Sequence, residues 1–188
     1  MKKTETALSG VFLIESNVHS DNRGFFMESY SGRKMAELGF NCDFVQDNHS
    51  LSLESGVVRG LHYQLEPKAQ TKLVRATAGA IYDVVVDIRK GSATFGNWIG
   101  VILSAANKRQ LFVPKGFAHG FCTLVANTEV QYKVDEYYSP EHERGILWSD
   151  PALGIDWPTA APILSDKDRQ YPPLQTAEYN FELWRNPQ

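Results

Sequence analysis

A cation and an imidazole interrupt an otherwise apolar run, Val57-Val-Arg-Gly-Leu-His-Tyr-Gln64. Val57, Val58, Leu61 and Tyr63 favour a strand in a sheet interior, where Arg59 and His62 are expensive to bury without a purpose. Strict alternation sends these two side chains to opposite faces. Gly60 lies between them, and glycine inside a strand often marks a bulge. A bulge there turns both toward one cavity. A histidine alone on a strand is more often a hydrogen-bonded core residue than a catalyst, so the functional reading depends on partners elsewhere in the chain.

Four groups could supply them. In Lys72-Leu-Val-Arg-Ala76, Lys72 and Val74 share one side and Leu73 and Arg75 the other, so one cation points inward or lies at a strand end. A snorkelling surface lysine is the bland alternative. Tyr132 alternates with Val130 and Val134, which places its ring on an apolar face, although core packing alone would explain the ring. His119 ends Pro114-Lys-Gly-Phe-Ala-His119, a turn entering a strand. Leu164-Ser-Asp-Lys-Asp168 is solvated surface unless the C-terminal segment folds back over the site. There an aspartate can bind the His62 imidazole, hold its tautomer and favour its protonated form.

The elements that must carry these groups read mainly as strands. Val11 to Glu15 and Gly24 to Tyr30 flank the turn-forming Ser20-Asp-Asn-Arg-Gly24, and Ser31 to Leu38 is a short helix that Ser31 caps and Gly39 ends. Strand-like runs then follow at Phe44 to Asn48, Val57 to Gln64, Lys72 to Ala76, Ala80 to Ile88 and Asn97 to Leu103. Three more lie at Arg109 to Val113, His119 to Val125 and Val130 to Tyr138. Short strands without long intervening helices indicate an all-β sandwich or barrel. The lack of crossover helices and of Gly-x-Gly-x-x-Gly argues against a dinucleotide-binding parallel sheet. Past Ser139 the chain is rich in Trp, Pro, Asp and Gly, with Trp148, Trp157 and Trp184 there, and is expected to be an irregular but ordered segment laid over the barrel.

With 188 residues and 43% apolar content, one domain spanning residues 1–188 is expected. A net charge of −3 offers no general attraction to nucleic acid or an anionic membrane, so an anionic ligand needs local arginines such as Arg23, Arg59 and Arg75. Two lysines near the start are not followed by an apolar run of signal-peptide length, which predicts a cytoplasmic protein. Cys42 and Cys122 form neither a disulfide framework nor a zinc motif, and inert thiols are expected.

Pro-x-Gly-x-x-His resembles one of the two motifs of cupin barrels. Metal-binding cupins place His-x-His at the other motif, where this chain has His62-Tyr63-Gln64, too few ligands for a tight metal site. Taken together, Asp21-Asn-Arg-Gly-Phe-Phe-Met-Glu28, Phe44-Val-Gln-Asp-Asn-His49, Arg59-Gly-Leu-His-Tyr-Gln64, Lys72-Leu-Val-Arg75, Tyr82-Asp-Val-Val-Val-Asp-Ile-Arg89, Pro114 to Phe121, Tyr132-Lys133, Asp156-Trp-Pro158 and Ser165-Asp-Lys-Asp168 resemble the dTDP-4-dehydrorhamnose 3,5-epimerases, the metal-free branch of the cupin jelly rolls. Tyr82 and Phe112 stand where that family often has a different aromatic.

The resemblance implies an all-β jelly-roll barrel with short helices and an irregular C-terminal segment. It also implies an isomerase of deoxysugar biosynthesis acting on a dTDP-4-keto-6-deoxyhexose without cofactor or metal. Its general base falls on His62, the orienting carboxylate on Asp168, the proton donor on Tyr132 and the enolate-stabilising cation on Lys72. Arg59 and His119 match pocket residues; Arg23, Phe26, Glu28, Gln46, Asn48 and Tyr138 match substrate and nucleotide contacts. It further implies a homodimer in which the strand carrying Arg23 and Glu28 crosses to the partner. Single-carbon epimerases, sugar 3,4-ketoisomerases and a non-enzymatic sugar-nucleotide binding module are the alternatives. Histidine is a base of near-neutral pKa, and a fixed ammonium answers the charge that develops on oxygen. Inversion needs a second proton-transfer group across the sugar ring.

Overall fold

Alternating burial along the strands sorts the apolar residues into three clusters, and these define the layers of the molecule. A computed structural model describes residues 1–183; Trp184 lies outside the described residues. In chain order the elements are β1 (Lys2–Glu5), β2 (Phe12–Glu15), β3 (Val18–Asp21), β4 (Gly24–Met27), α1 (Gly32–Glu37), β5 (Gln46–Ser52), β6 (Val58–Gln64) and β7 (Lys72–Ala78). They continue with β8 (Ala80–Asp87), β9 (Trp98–Ser104), β10 (Arg109–Val113), β11 (Phe117–Thr123), β12 (Thr128–Val134), β13 (Glu143–Gly145) and α2 (Asp166–Gln170). A six-stranded sheet has the order β1-β2-β10-β7-β12-β5, a five-stranded sheet β13-β6-β11-β8-β9, and β3 and β4 form a separate hairpin.

The two large sheets face each other as an antiparallel jelly roll. Val74, Leu111 and Val130 of one sheet meet Ile81, Val85, Leu103 and Phe121 of the other in the inner core. The back of the five-stranded sheet is covered by the C-terminal segment, through Leu153, Trp157, Leu174 and Phe181. Trp157 and Trp98 each donate an indole hydrogen bond into that segment, to the carbonyls of Trp148 and Leu153. The segment is therefore ordered cover, as its composition suggests. Behind the six-stranded sheet, Met35 of α1 and Phe40 pack on Ile14, Leu73 and Phe112.

Several boundaries differ from the sequence expectations for identifiable reasons. The strand expected at Phe44 to Asn48 runs instead from Gln46 to Ser52, because all seven of its residues pair with the seven of β12. Strand β1, Lys-Lys-Thr-Glu, is exposed at all four positions and owes its form to pairing with β2 rather than to any apolar pattern. The turn expected over residues 20–24 tightens to Asn22 and Arg23, with β3 extending to Asp21. The runs expected to reach Tyr30 and Tyr138 stop at Met27 and Val134. Strand β13 and helix α2 are short elements in a region whose composition suggested only loop.

Candidate active site

Strand β6 brings Arg59 and His62 to the same side. On β11, His119 pairs with His62 and Phe121 with Arg59, so three steps along β6 match two on its neighbour. The extra residue falls in Gly60-Leu61. Val58, Leu61 and Tyr63 consequently face the outer core, while Arg59 and His62 line one inner cleft of about 440 Å³. That size suits a small-molecule ligand. Gly60 has φ +113°, and a Cβ there would lie 2.7 Å from the Gly120 Cα and the His119 carbonyl oxygen, so the bulge requires glycine.

The other wall comes from the six-stranded sheet. On β7, Leu73 packs behind the sheet and Val74 in the inner core, which puts Lys72 inward; its Nζ donates to the His62 carbonyl at 3.3 Å. Burial pushes its pKa from 10.5 down to about 8, opposed in part by Asp83 and Glu143. Arg75 faces the other way and donates to Gln131. Tyr132, beside Val74 on β12, also lines the cleft. Burial raises its phenol; Arg59 opposes this and Glu143 adds to it, so Tyr132 is a neutral donor at physiological pH.

The C-terminal segment completes the site. Ile163 pairs in parallel beside Val57, just ahead of β6, through the Gly56 carbonyl and the Val58 amide, each at 2.9 Å. Ser165 then caps α2: its Oγ accepts from the Asp168 amide at 3.1 Å and donates to Asp168 Oδ2 at 2.9 Å. The remaining oxygen, Oδ1, lies 2.5 Å from Nε2 of His62. Asp168 is buried, and burial by itself pushes its carboxyl up. Its bond to His62, the imidazole charge, Ser165 and the Gly60 amide outweigh that and hold the pKa below the usual carboxylate value. A second pair lies alongside, with His119 Nε2 at 2.9 and 3.1 Å from the two oxygens of the fully buried Asp83.

Arg59, His62, Lys72, His119, Tyr132 and Asp168 thus share one cleft. The remaining expected contacts do not line it within a single chain. Arg23 pairs with Asp21, Glu28 with Lys34, and Phe26 is 69% exposed on the hairpin. Gln46 and Asn48 lie on the inward row of β5 with the cleft residue Ser50, and Gln46 donates to Asn48 at 2.8 Å. Tyr138 is exposed and its hydroxyl donates to Glu143 at 2.6 Å. Sequence reasoning missed Asp83 and Glu143. The first carried a signal, an acid alternating with Ile81 and Val85 in an apolar run; the second, in an irregular stretch, carried none. Of the cysteines, Cys122 is buried and Cys42 half-buried, both with thiols pushed up to about 11, chiefly by burial.

Among the described residues no group of three or more His, Cys, Asp or Glu is placed to hold a metal ion, and no helix is long and apolar enough to cross a membrane. An imidazole paired with a carboxylate, an ammonium and a phenol thus converge between the two sheets of a cupin-like jelly roll, and together with the relatives below they mark an enzyme of the isomerase class. The family model for dTDP-4-dehydrorhamnose 3,5-epimerase matches residues 5–176, and the chain belongs to that family. The dTDP-4-dehydrorhamnose 3,5-epimerase of Shigella flexneri is 53% identical over 180 residues, covering 95% of this chain and 99% of that protein. The crystal structure of the Bacillus anthracis dTDP-4-dehydrorhamnose 3,5-epimerase with TDP and PPi bound is 58% identical with a TM-score of 0.90, covering 92% of this chain and 98% of its own. A Legionella pneumophila dTDP-6-deoxy-D-glucose-3,5-epimerase in complex with dTDP-4-keto-L-rhamnose is 48% identical with a TM-score of 0.89, covering 93% of each chain.

Proposed function

We propose that this protein epimerises C3 and C5 of dTDP-4-dehydro-6-deoxy-D-glucose, giving dTDP-4-dehydro-L-rhamnose for deoxysugar biosynthesis. The observation that carries this reading is the division of the site between two walls: His62 on one sheet, Lys72 and Tyr132 on the sheet facing it. A sugar ring between them meets a base on one face and an acid on the other. The ketone at C4 acidifies the hydrogens on C3 and C5. With Nε2 committed to Asp168, His62 takes the proton through Nδ1, and the electron pair moves onto the C4 oxygen. The Lys72 ammonium stabilises that enolate. Tyr132 then delivers a proton to the opposite face of the same carbon, which inverts it. His62 releases its proton to solvent and Tyr132 regains one, so each inversion brings in a solvent hydrogen.

Arg59, within the cleft, suits the diphosphate, with His119 beside it and Gln46, Asn48 and Tyr138 toward the nucleotide. Arg23, Phe26 and Glu28 belong to a second copy's cleft in this reading, which makes the protein a homodimer. The hairpin β3–β4 supports it: among the described residues its strands pair only with each other, and Phe25 and Phe26 are 58% and 69% exposed. Exposed strand edges flanked by aromatic side chains invite pairing with another chain.

The experiment is incubation with dTDP-4-keto-6-deoxyglucose in heavy water, followed by locating deuterium on the sugar. Label at both C3 and C5 is expected. Label at one carbon would make it a single-carbon epimerase, migration of the ketone a 3,4-ketoisomerase, and tight binding without label a sugar-nucleotide binding module.

A further inference from the structure

Helix α2 ends at Tyr171 because Pro172 follows, and the proline ring crowds the preceding residue out of the helical conformation, which is disfavoured there. Tyr171 is extended, with φ −64° and ψ 145°, and the Pro172 carbonyl accepts from the Leu147 amide at 2.9 Å. This pins the tyrosine against the end of β13. Its ring meets the His62 imidazole edge to face, with centroids 5.6 Å apart and planes at 66°.

The ring fits there because of Gly145, the register partner of His62 on β13. A Cβ on Gly145 would lie 2.5 Å from each of three Tyr171 ring atoms. The aromatic ring therefore occupies the space that a side chain on the neighbouring strand would take. The Tyr171 hydroxyl is buried and makes no hydrogen bond to any described protein group. Burial raises the phenol strongly, and the Glu143 and Asp168 carboxylates raise it further, so it stays protonated. The part of Tyr171 that meets His62 and Gly145 is its ring.

We propose that Tyr171 is a positioning residue: its ring, admitted by Gly145, is the wall that holds the His62 imidazole in the orientation that meets Asp168. The inference rests on the reading of His62 as the base, and its test separates the two. Imidazole 15N resonances of the full-length protein, assigned by their loss in His62→Gln, report the tautomer without requiring turnover. The wild type should show one fixed tautomer with the proton on Nε2. Tyr171→Ala should show averaging between tautomers, a kcat lowered about 10- to 100-fold by the misplaced base, and a KM within about twofold of the wild type. Tyr171→Phe keeps the ring and should restore both the spectrum and the rate.

Gly145→Ala, which pushes the ring away from the other side, should reproduce the Tyr171→Ala behaviour in a chain that retains the tyrosine. A fixed tautomer in both Tyr171→Ala and Gly145→Ala overturns the proposal. So does a Tyr171→Phe protein as slow as Tyr171→Ala, because the hydroxyl would then be the working group. An averaged tautomer with undiminished deuterium exchange supports the wall and sinks the assignment of His62 as base.

Discussion

Asp168 Oδ1 lies 2.5 Å from Nε2 of His62, although 106 residues separate them in sequence. If this pair is the base and its orienter, His62→Ala should abolish deuterium exchange at C3 and C5 together while leaving nucleotide binding nearly intact. Retained exchange at either carbon would remove His62 from that role. Asp168→Asn keeps the shape but disturbs the tautomer, and exchange should fall roughly 10²–10⁴-fold. The lowered Asp168 pKa also makes a stability statement: its contribution is present above the unfolded value of 3.8 and is lost as pH falls through the lower folded value. The acid limb of the unfolding curve should therefore flatten in Asp168→Asn.

Tyr132 faces His62 from the opposite sheet, and its burial keeps the phenol protonated. Tyr132→Phe should weaken reprotonation more than abstraction, so turnover to inverted product should fall further than wash-in of solvent deuterium. Exchange reduced to the His62→Ala level would show that the two residues do not divide the labour in this way.

Lys72 is charged at neutral pH at the expense of stability. The shift from 10.5 to about 8 costs on the order of 3 kcal/mol wherever the lysine is protonated in both states, and the cost is relieved as pH rises between those values. Lys72→Met should raise Tm below pH 8 while lowering kcat about 10²–10³-fold. In the wild type, kcat/KM should decline above about pH 8 as the ammonium is lost, and Lys72→Arg should move that limb upward. An unchanged limb in the arginine variant would detach it from Lys72. If this ammonium answers the enolate, exhaustive chelation should leave the rate unchanged; loss that zinc, iron or manganese restores would revive a metallo-cupin mechanism.

Arg23 and Glu28 are exposed on or beside the hairpin, outside the cleft of their own chain. If they serve a second copy's site, mixing inactive Arg23→Ala and His62→Ala chains should regenerate activity, because each heterodimer has one site with both lesions and one with neither. No recovery, with subunit exchange verified by mass, would exclude the shared site.

Much of this was readable from local pattern. Period-two alternation marked most strands, Ser31 and Gly39 bracketed a helix, and Gly60 between Arg59 and His62 announced a bulge because no other residue fits its φ and its contact with β11. These features depend on backbone sterics and on which face a side chain takes, and neighbouring residues determine both. Strands β1, β3 and β13 were not readable, since their form comes from pairing rather than from apolar pattern.

The tertiary structure decided what meets what. Strand β7 lies between β10 and β12, and β6 between β11 and β13, partners chosen by the packing of distant faces. Only that packing turned the charged stretch at Asp168 into the ligand of an imidazole, gave Tyr138 a partner in Glu143, and set the Tyr171 ring over Gly145. Alternation specifies a side chain's face; it carries no information about the residue waiting across the gap, because that contact forms only when chain far away in sequence closes over it.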